Sequence, residues 1–272
     1  MHRRGLQWKR RLVNIEMPSG NKFTAPLVFI VALLAIWQGI VTFSGIEAWL
    51  LPAPWQVAVA LKDMLPLLLY HSQSTMLAAS SGLLAAVFFA SAVAVLMDSS
   101  PWFKRGIYPL LVLSQTIPII SIAPLLLIWF GLGLLPKVIV VALVCFFPVT
   151  VSMVEGMEAA DPDMVDLLRV MGAGKWKIIK TVRFPAALPS FFSGLKIAGT
   201  YAVMGAVIGE WLGASSGLGV FMTRASHSYQ LDRVFAAIIV ISSVSLLLFV
   251  LIIILSRLAM PWYFKERIRN NG

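Results

Sequence analysis

Six stretches of about twenty mostly apolar residues, separated by short polar segments, constrain this chain more than any other feature. A helix rises 1.5 Å per residue, so about 20 residues match the ~30 Å hydrocarbon layer of a bilayer. Within that layer each segment must satisfy its own backbone N–H and C=O groups, which a helix does. The blocks run over about 26–43, 74–97, 108–130, 136–153, 188–212 and 235–258. Apolar residues make up 59% of the chain and charged residues 12%, against about a half and a quarter in soluble domains, so a water-facing domain is excluded. Pro118, Pro124 and Pro148 inside these blocks are tolerable, because neighbouring helices can satisfy the backbone groups a proline frees. The expected fold is all-α, a single polytopic helix bundle over residues 1–272 with about six transmembrane helices.

The charges report topology. The net charge of +10 would suit nucleic acid, but no basic helix or stacked-aromatic segment stands outside the apolar blocks, so no nucleic-acid partner is expected. If the N-terminus is inside, seventeen of the 22 Lys and Arg fall on the inner side; Lys62, Lys137, Arg224 and Arg233 fall in outer loops, and Lys196 lies within the fifth helix. That bias predicts an even number of spans with both termini cytoplasmic. Arg3, Arg4, Lys9, Arg10, Arg11 and Lys22 precede the first block, yet the block is long and no Ala-x-Ala-type site follows, so it is expected to be retained. Trp49, Trp55, Trp102 and Trp262 fall near predicted interfaces, where indole rings collect. The single cysteine, Cys145, lies in an apolar block and reads as a small buried hydrophobe.

The segment 155–187, between the fourth and fifth helices, is the most informative polar stretch. Asp161 is placed as an N-cap, Pro162 at the first helical position, and Asp163 and Asp166 near the positive end of the helix dipole. Met164, Leu167, Leu168 and Met171 then form one apolar stripe at helical spacing. Gly172 should end this helix; Trp176 and Ile179 continue a second short turn, and Pro185 and Pro189 are expected to stop it at the membrane surface. A helix-turn-helix of this kind has two readings. Its stripe can lie on the protein's own helices or the headgroup layer, with Lys175, Lys177 and Lys180 meeting anionic membrane lipid, or it can fit a partner's groove.

Gly172 followed nine residues later by Val182-Arg183-Phe184-Pro185 resembles the loop signature of binding-protein-dependent ABC transport permeases. The Glu-Ala-Ala triplet of that signature is replaced by Asp166-Leu167-Leu168, and the literal Glu158-Ala159-Ala160 lies eight residues too early. Further fragments carry the resemblance: Ile117-Pro118, Ala123-Pro124, 129–133 (Trp-Phe-Gly-Leu-Gly), Phe147-Pro148, 185–189, 194–198, Glu210 and Gly217-Leu218-Gly219. Their order and spacing look like the branch associated with nitrate, sulfonate, taurine and pyrimidine-type thiamine precursors. The resemblance implies a type I ABC importer permease fold in the cell (inner) membrane. It also implies a second copy of the chain, a cytoplasmic ATP-binding subunit and an extracytoplasmic solute-binding protein. The loop around Gly172 would then dock on the ATPase through Asp166, Leu168, Gly172, Ala173, Trp176 and Pro185. Gly172-Ala173 can enter a cleft without side-chain clash and Trp176 can serve as a large anchor.

Within the membrane, Glu210 is a functional candidate by default because an ionised carboxylate there is costly. A gating or structural role beside the pathway is expected. An unpaired carboxylate would repel nitrate or sulfonate, which favours a neutral or cationic-ring solute. Gln115, Pro118 and Ser121 are placed along a polar pathway, with bonding to a neighbouring helix the alternative. Lys196 is expected to snorkel. Gly205, Gly209, Gly213 and Gly217 form a small-residue ridge suited to close helix packing. Gly213-Ala214-Ser215-Ser216-Gly217 matches a hydrolase elbow but follows a membrane helix instead of a strand. His2, His71 and His227 lack metal-ligand spacing and no Walker phosphate loop occurs, so no cofactor, metal or catalytic residue is expected, and if ATP drives this protein another chain must bind it. An ion-coupled secondary transporter is the alternative, though one intramembrane Glu and no visible repeat argue against it.

Overall fold

The computed structural model describes residues 24–211 and 214–263. The basic N-terminal run, Gly213 of the expected ridge, and Lys265, Arg267 and Arg269 lie outside the described residues. All elements among the described residues are helices: α1 (Thr24–Ser44), α2 (Pro54–Ser99), α3 (Pro101–Ser114), α4 (Ile119–Phe130), α5 (Leu134–Glu158), α6 (Pro162–Val170), α7 (Lys175–Ile178), α8 (Phe184–Trp211), α9 (Leu218–His227) and α10 (Leu231–Ala259). Five helical runs are long and apolar enough to cross a membrane, and the bent pair α3–α4 makes a sixth if it is one span.

Several boundaries differ from those the sequence suggested. The second span begins at Pro54, twenty residues before the apolar block, so Lys62 lies inside α2 and not in a loop. At 1.5 Å per residue its 46 residues extend about 69 Å, far more than a bilayer core, so one end must project. The third span is not one helix: α3 and α4 meet at 98°. Pro118 causes the break, because it disfavours helical geometry at Ile117 and itself sits at the N-cap of α4 with ψ 121°. Lys137, Arg224 and Arg233, expected in outer loops, lie in α5, α9 and the first turn of α10.

Pro185 and Pro189 do not stop a helix either. A π turn over Ile179–Arg183 joins α7 to α8, with the Phe184 N–H reaching the Ile179 carbonyl five residues back. The wider turn accommodates the Pro185 ring, which lacks a donor and would clash with an ordinary helical carbonyl four residues earlier. Helix α9 was not anticipated, although Leu218, Phe221 and Ala225, all buried, carry its spacing.

At the centre α5 is gripped between α2 and α8. The facing stripe of α2 is Thr75, Ala79, Gly82, Ala86, Ala90 and Ala94, small residues that let backbones approach in the way membrane helices favour. Gly205 and Gly209 of α8 pack in the same way, with space for a Cβ ending 3.3 Å from Val141 Cα and 3.2 Å from Lys137 Cα. Gly217, counted in the same ridge from sequence, instead lies in the crossover between α8 and α9 at φ +136°. Helix α1 stands apart, exposed almost all round, and touches the bundle partly through Trp37 on Phe235, ring centroids 5.4 Å apart. Exposed apolar side chains on α1, α4 and α10 suit lipid or another helix as their solvent.

Candidate functional site

Segment 155–187 closes one end of the bundle and is built as a rigid protrusion. Asp161 caps α6 by accepting the Asp163 N–H at 3.0 Å, and Arg169 bonds Asp166 at 2.8 Å. The helix ends in a Schellman motif: Ala173 N–H reaches the Leu168 carbonyl and Gly172 N–H the Arg169 carbonyl, each at 2.9 Å. Gly172 has φ +76°, the left-handed geometry this motif requires, and nothing lies within 4 Å of where its Cβ would be. Val165 and Ile178 point back into the protein, whereas Met164, Leu167, Val170, Met171 and Trp176 are exposed, Trp176 by 71%. Leu168 and Ala173 are half-buried at the edge of this surface, and Pro185 is half-buried at its root. The stripe therefore does not lie on the described helices of the protein. Lys104 pairs with Glu158, and Arg183 with Asp98, tying the ends of α2, α3 and α5 to the loop.

At the opposite end the polar groups pin a crossover. Glu210 is 1% exposed and accepts from Thr75 Oγ1 at 2.9 Å and from the Gly219 N–H at 2.9 Å, while Lys137 Nζ stands 3.9 Å away. Lys137 donates to the Ser216 carbonyl at 2.9 Å, His71 Nδ1 accepts the Gly217 N–H at 3.0 Å, and Thr75 Oγ1 accepts the Leu218 N–H at 2.9 Å. A Cβ at Gly217 would overlap the Glu210 carboxyl, so only glycine fits beneath it. Buried charge is sustainable here because it is paired and hydrogen-bonded. In this structure the Glu210 carboxyl is engaged by Thr75, Gly219 and Lys137, so its charge is paired and does not by itself select a neutral or cationic solute. Sequence reasoning missed Lys137, Thr75 and His71. Thr75 lies four residues after His71 on α2, which places both on one face, but nothing in the sequence tied that face to Glu210. Ser215, the residue of the hydrolase-like match, is exposed in this crossover, and the His71 ring nitrogen is engaged by Gly217.

The pathway candidates separate. Gln115 and Pro118 sit at the α3–α4 break and line a cavity of about 620 Å³ shared by α2, α3, α4, α5 and α8, whose wall includes Phe103, Phe146 and Tyr201. Ser121 is exposed on α4 but does not line it. Beside it, Thr200, Met204, Ile208 and Trp211 of α8 open onto a second apolar groove with α10.

Residues 82–261 match the family model of binding-protein-dependent transport system inner membrane components. A probable ABC transporter permease protein of Haemophilus influenzae is 38% identical over 224 residues, 82% of this chain and 91% of the relative. A formylaminopyrimidine transport permease protein of Halalkalibacterium halodurans is 36% identical over 242 residues, 89% of this chain and 96% of the relative. A crystal structure of an amino acid ABC transporter with histidines superposes with a TM-score of 0.58 at 18% identity, over 77% of this chain and 97% of that one, a likeness of fold.

Proposed function

Because this chain belongs to the family of binding-protein-dependent transport system inner membrane components, the permeases of ABC importers, we propose that segment 155–187 is its docking site for the ATPase. ABC importer permeases work with an ATP-binding subunit and a solute-binding protein, and the ion-coupled alternative has no support in this family. One observation carries the assignment: a capped loop presents Met164, Leu167, Val170, Met171 and Trp176 outward, exposed and uncovered by any of the described residues. A helix-in-groove contact would bury that stripe. Leu168, Gly172 and Ala173 fix the shape of the turn, Pro185 fixes its root, and Asp166 offers a carboxylate to a basic groove residue. The docking end is cytoplasmic in this reading, with both termini on that side and the Glu210 crossover facing outward, as the basic bias of the sequence favours.

The exposed face of α8 (Ile197, Tyr201, Met204, Trp211) and α10 would meet a second copy of the chain. Movement transmitted through the loop to α5 and α8 would alternate access to the cavity at the α3–α4 break. That cavity is lined by Gln115 together with Phe103, Phe146 and Tyr201, an amide and aromatic rings in one wall, which would suit a single-ring nitrogen heterocycle such as a pyrimidine, in keeping with the formylaminopyrimidine-permease relative. The docking assignment is tested with Trp176→Ala. Its exposure predicts an unchanged folded state, while loss of a central anchor should weaken ATPase association by about 2 kcal/mol, roughly 30-fold. Unaltered association with unaltered ATP-driven uptake would refute it.

A further inference from the structure

A separate cup of about 600 Å³ lies at the docking end, on the protein side of the loop. Its charged wall is drawn from distant parts of the chain: Asp98 at the end of α2, Lys104 in the first turn of α3, Glu158 at the end of α5, and Arg169, Lys175 and Arg183 from the loop. Lys104 pairs with Glu158 and Arg183 with Asp98, and Arg169 also reaches Asp166 outside the cup at 2.8 Å. Lys175 pairs with no described carboxylate. Four cations thus face two carboxylates within the cup, and because Asp166 compensates Arg169 from outside it, one positive charge, that of Lys175, is left without a carboxylate among the described residues. One feature runs the other way. Asp98 has a side chain only 3% exposed, and its Oδ2 has no hydrogen-bond partner among the described residues. A buried carboxylate oxygen left unpaired is costly, and such exceptions call for a missing donor.

The cup therefore asks for an anion that also carries a hydrogen-bond donor. Its depth says where that anion comes from. Helices α2 and α5 end here and α3 begins, and Trp102, 84% exposed, stands at the same level, as interfacial indoles do. Basic pockets between membrane helices at this level hold anionic headgroups. We propose that the cup binds the headgroup of an anionic phospholipid of the phosphatidylglycerol type. Lys175 and Arg169 would contact the phosphate, and a headgroup hydroxyl would donate to Asp98 Oδ2. A lipid seated there would touch α2, α3 and the docking loop at once, and so set the position of the loop.

The test reads lipid retention directly, apart from transport or ATPase activity, so its failure leaves the docking assignment standing. The full chain is delipidated in detergent, supplied with phosphatidylglycerol, and examined by native mass spectrometry. Wild type should retain one tightly held lipid. Arg169→Gln/Lys175→Gln, changes at exposed side chains that leave the Lys104–Glu158 and Arg183–Asp98 pairs intact, should cut retention about tenfold with no change in thermal unfolding. Lys62→Gln, remote on α2, should leave retention unchanged. Phosphatidylmethanol has the same phosphodiester charge without the hydroxyl and should be held several-fold less well. Equal retention by the double variant, equal retention of phosphatidylmethanol, or displacement of the lipid by millimolar inorganic phosphate would each overturn the proposal.

Discussion

Replacing Glu210 by Ala distinguishes a structural anchor from a pathway residue. The Lys137 and Glu210 side chains are 7% and 0% exposed. Truncation would strand the Lys137 ammonium with only the Ser216 carbonyl and, at 3.4 Å, the Ser74 hydroxyl. It would also remove the acceptor of the Gly219 N–H. Removing one member of a buried pair costs about 3–5 kcal/mol, the lower figure being a factor of roughly 150 in the folded-to-unfolded ratio. Most of that cost is the uncompensated cation and not the lost attraction, so Lys137→Met added to Glu210→Ala should restore at least about 1.5 kcal/mol, the non-additivity expected of contacting residues. Equilibrium unfolding in mixed micelles, titrated with sodium dodecyl sulfate, measures both variants. If Glu210→Ala unfolds within about 1 kcal/mol of wild type while uptake is lost, Glu210 acts on the solute and the anchoring account is wrong. No recovery on adding Lys137→Met would equally contradict it.

Two further changes probe the packing and the cavity. Gly156→Val would press a side chain on Ala187 Cα and Ser190 Cβ, both 2.8 Å from the Cβ position, and should cost about 1–3 kcal/mol in the same unfolding titration by forcing α5 from α8. Gln115→Leu, at an exposed position, should leave unfolding unchanged but reduce binding-protein-dependent uptake of a pyrimidine about tenfold, the worth of one good hydrogen bond to solute; normal uptake would remove Gln115 from the pathway.

Much of this molecule was legible in the sequence where a local rule governs. Asp161, Pro162 and Gly172 specify the start and end of α6 by capping chemistry that acts over a few residues, and the structure places them as caps and turn. The apolar blocks marked the spans because bilayer thickness sets their length. What the sequence concealed depends on more distant geometry. Residues 54–73 of α2 are less uniformly apolar, with Lys62 and Asp63 among them, so hydropathy did not reveal that the helix continues through them. Pro118 was visible as a helix breaker, but membrane helices often absorb prolines, as α5 does at Pro148, and only the surrounding packing decides between a kink and a 98° turn. Glu210 stood out as an intramembrane carboxylate, yet its partners Thr75 and Lys137 lie 135 and 73 residues away, and no spacing rule links them.

If ATP hydrolysis acts on this chain through the loop around Gly172, that loop lies against the ATPase subunit, and site-directed cross-linking reads the contact. Cys145 is fully buried and unpaired, so a cysteine introduced at Met171, 72% exposed, is the only reactive thiol expected on the described surface. Paired with cysteines placed along the groove of the ATPase subunit, Met171→Cys should give a disulfide-linked heterodimer whose yield changes when ATP is bound, while a cysteine at Lys62 should give none. A Met171→Cys chain that cross-links to no ATPase position, in a complex still competent for ATP-driven uptake, would contradict the account.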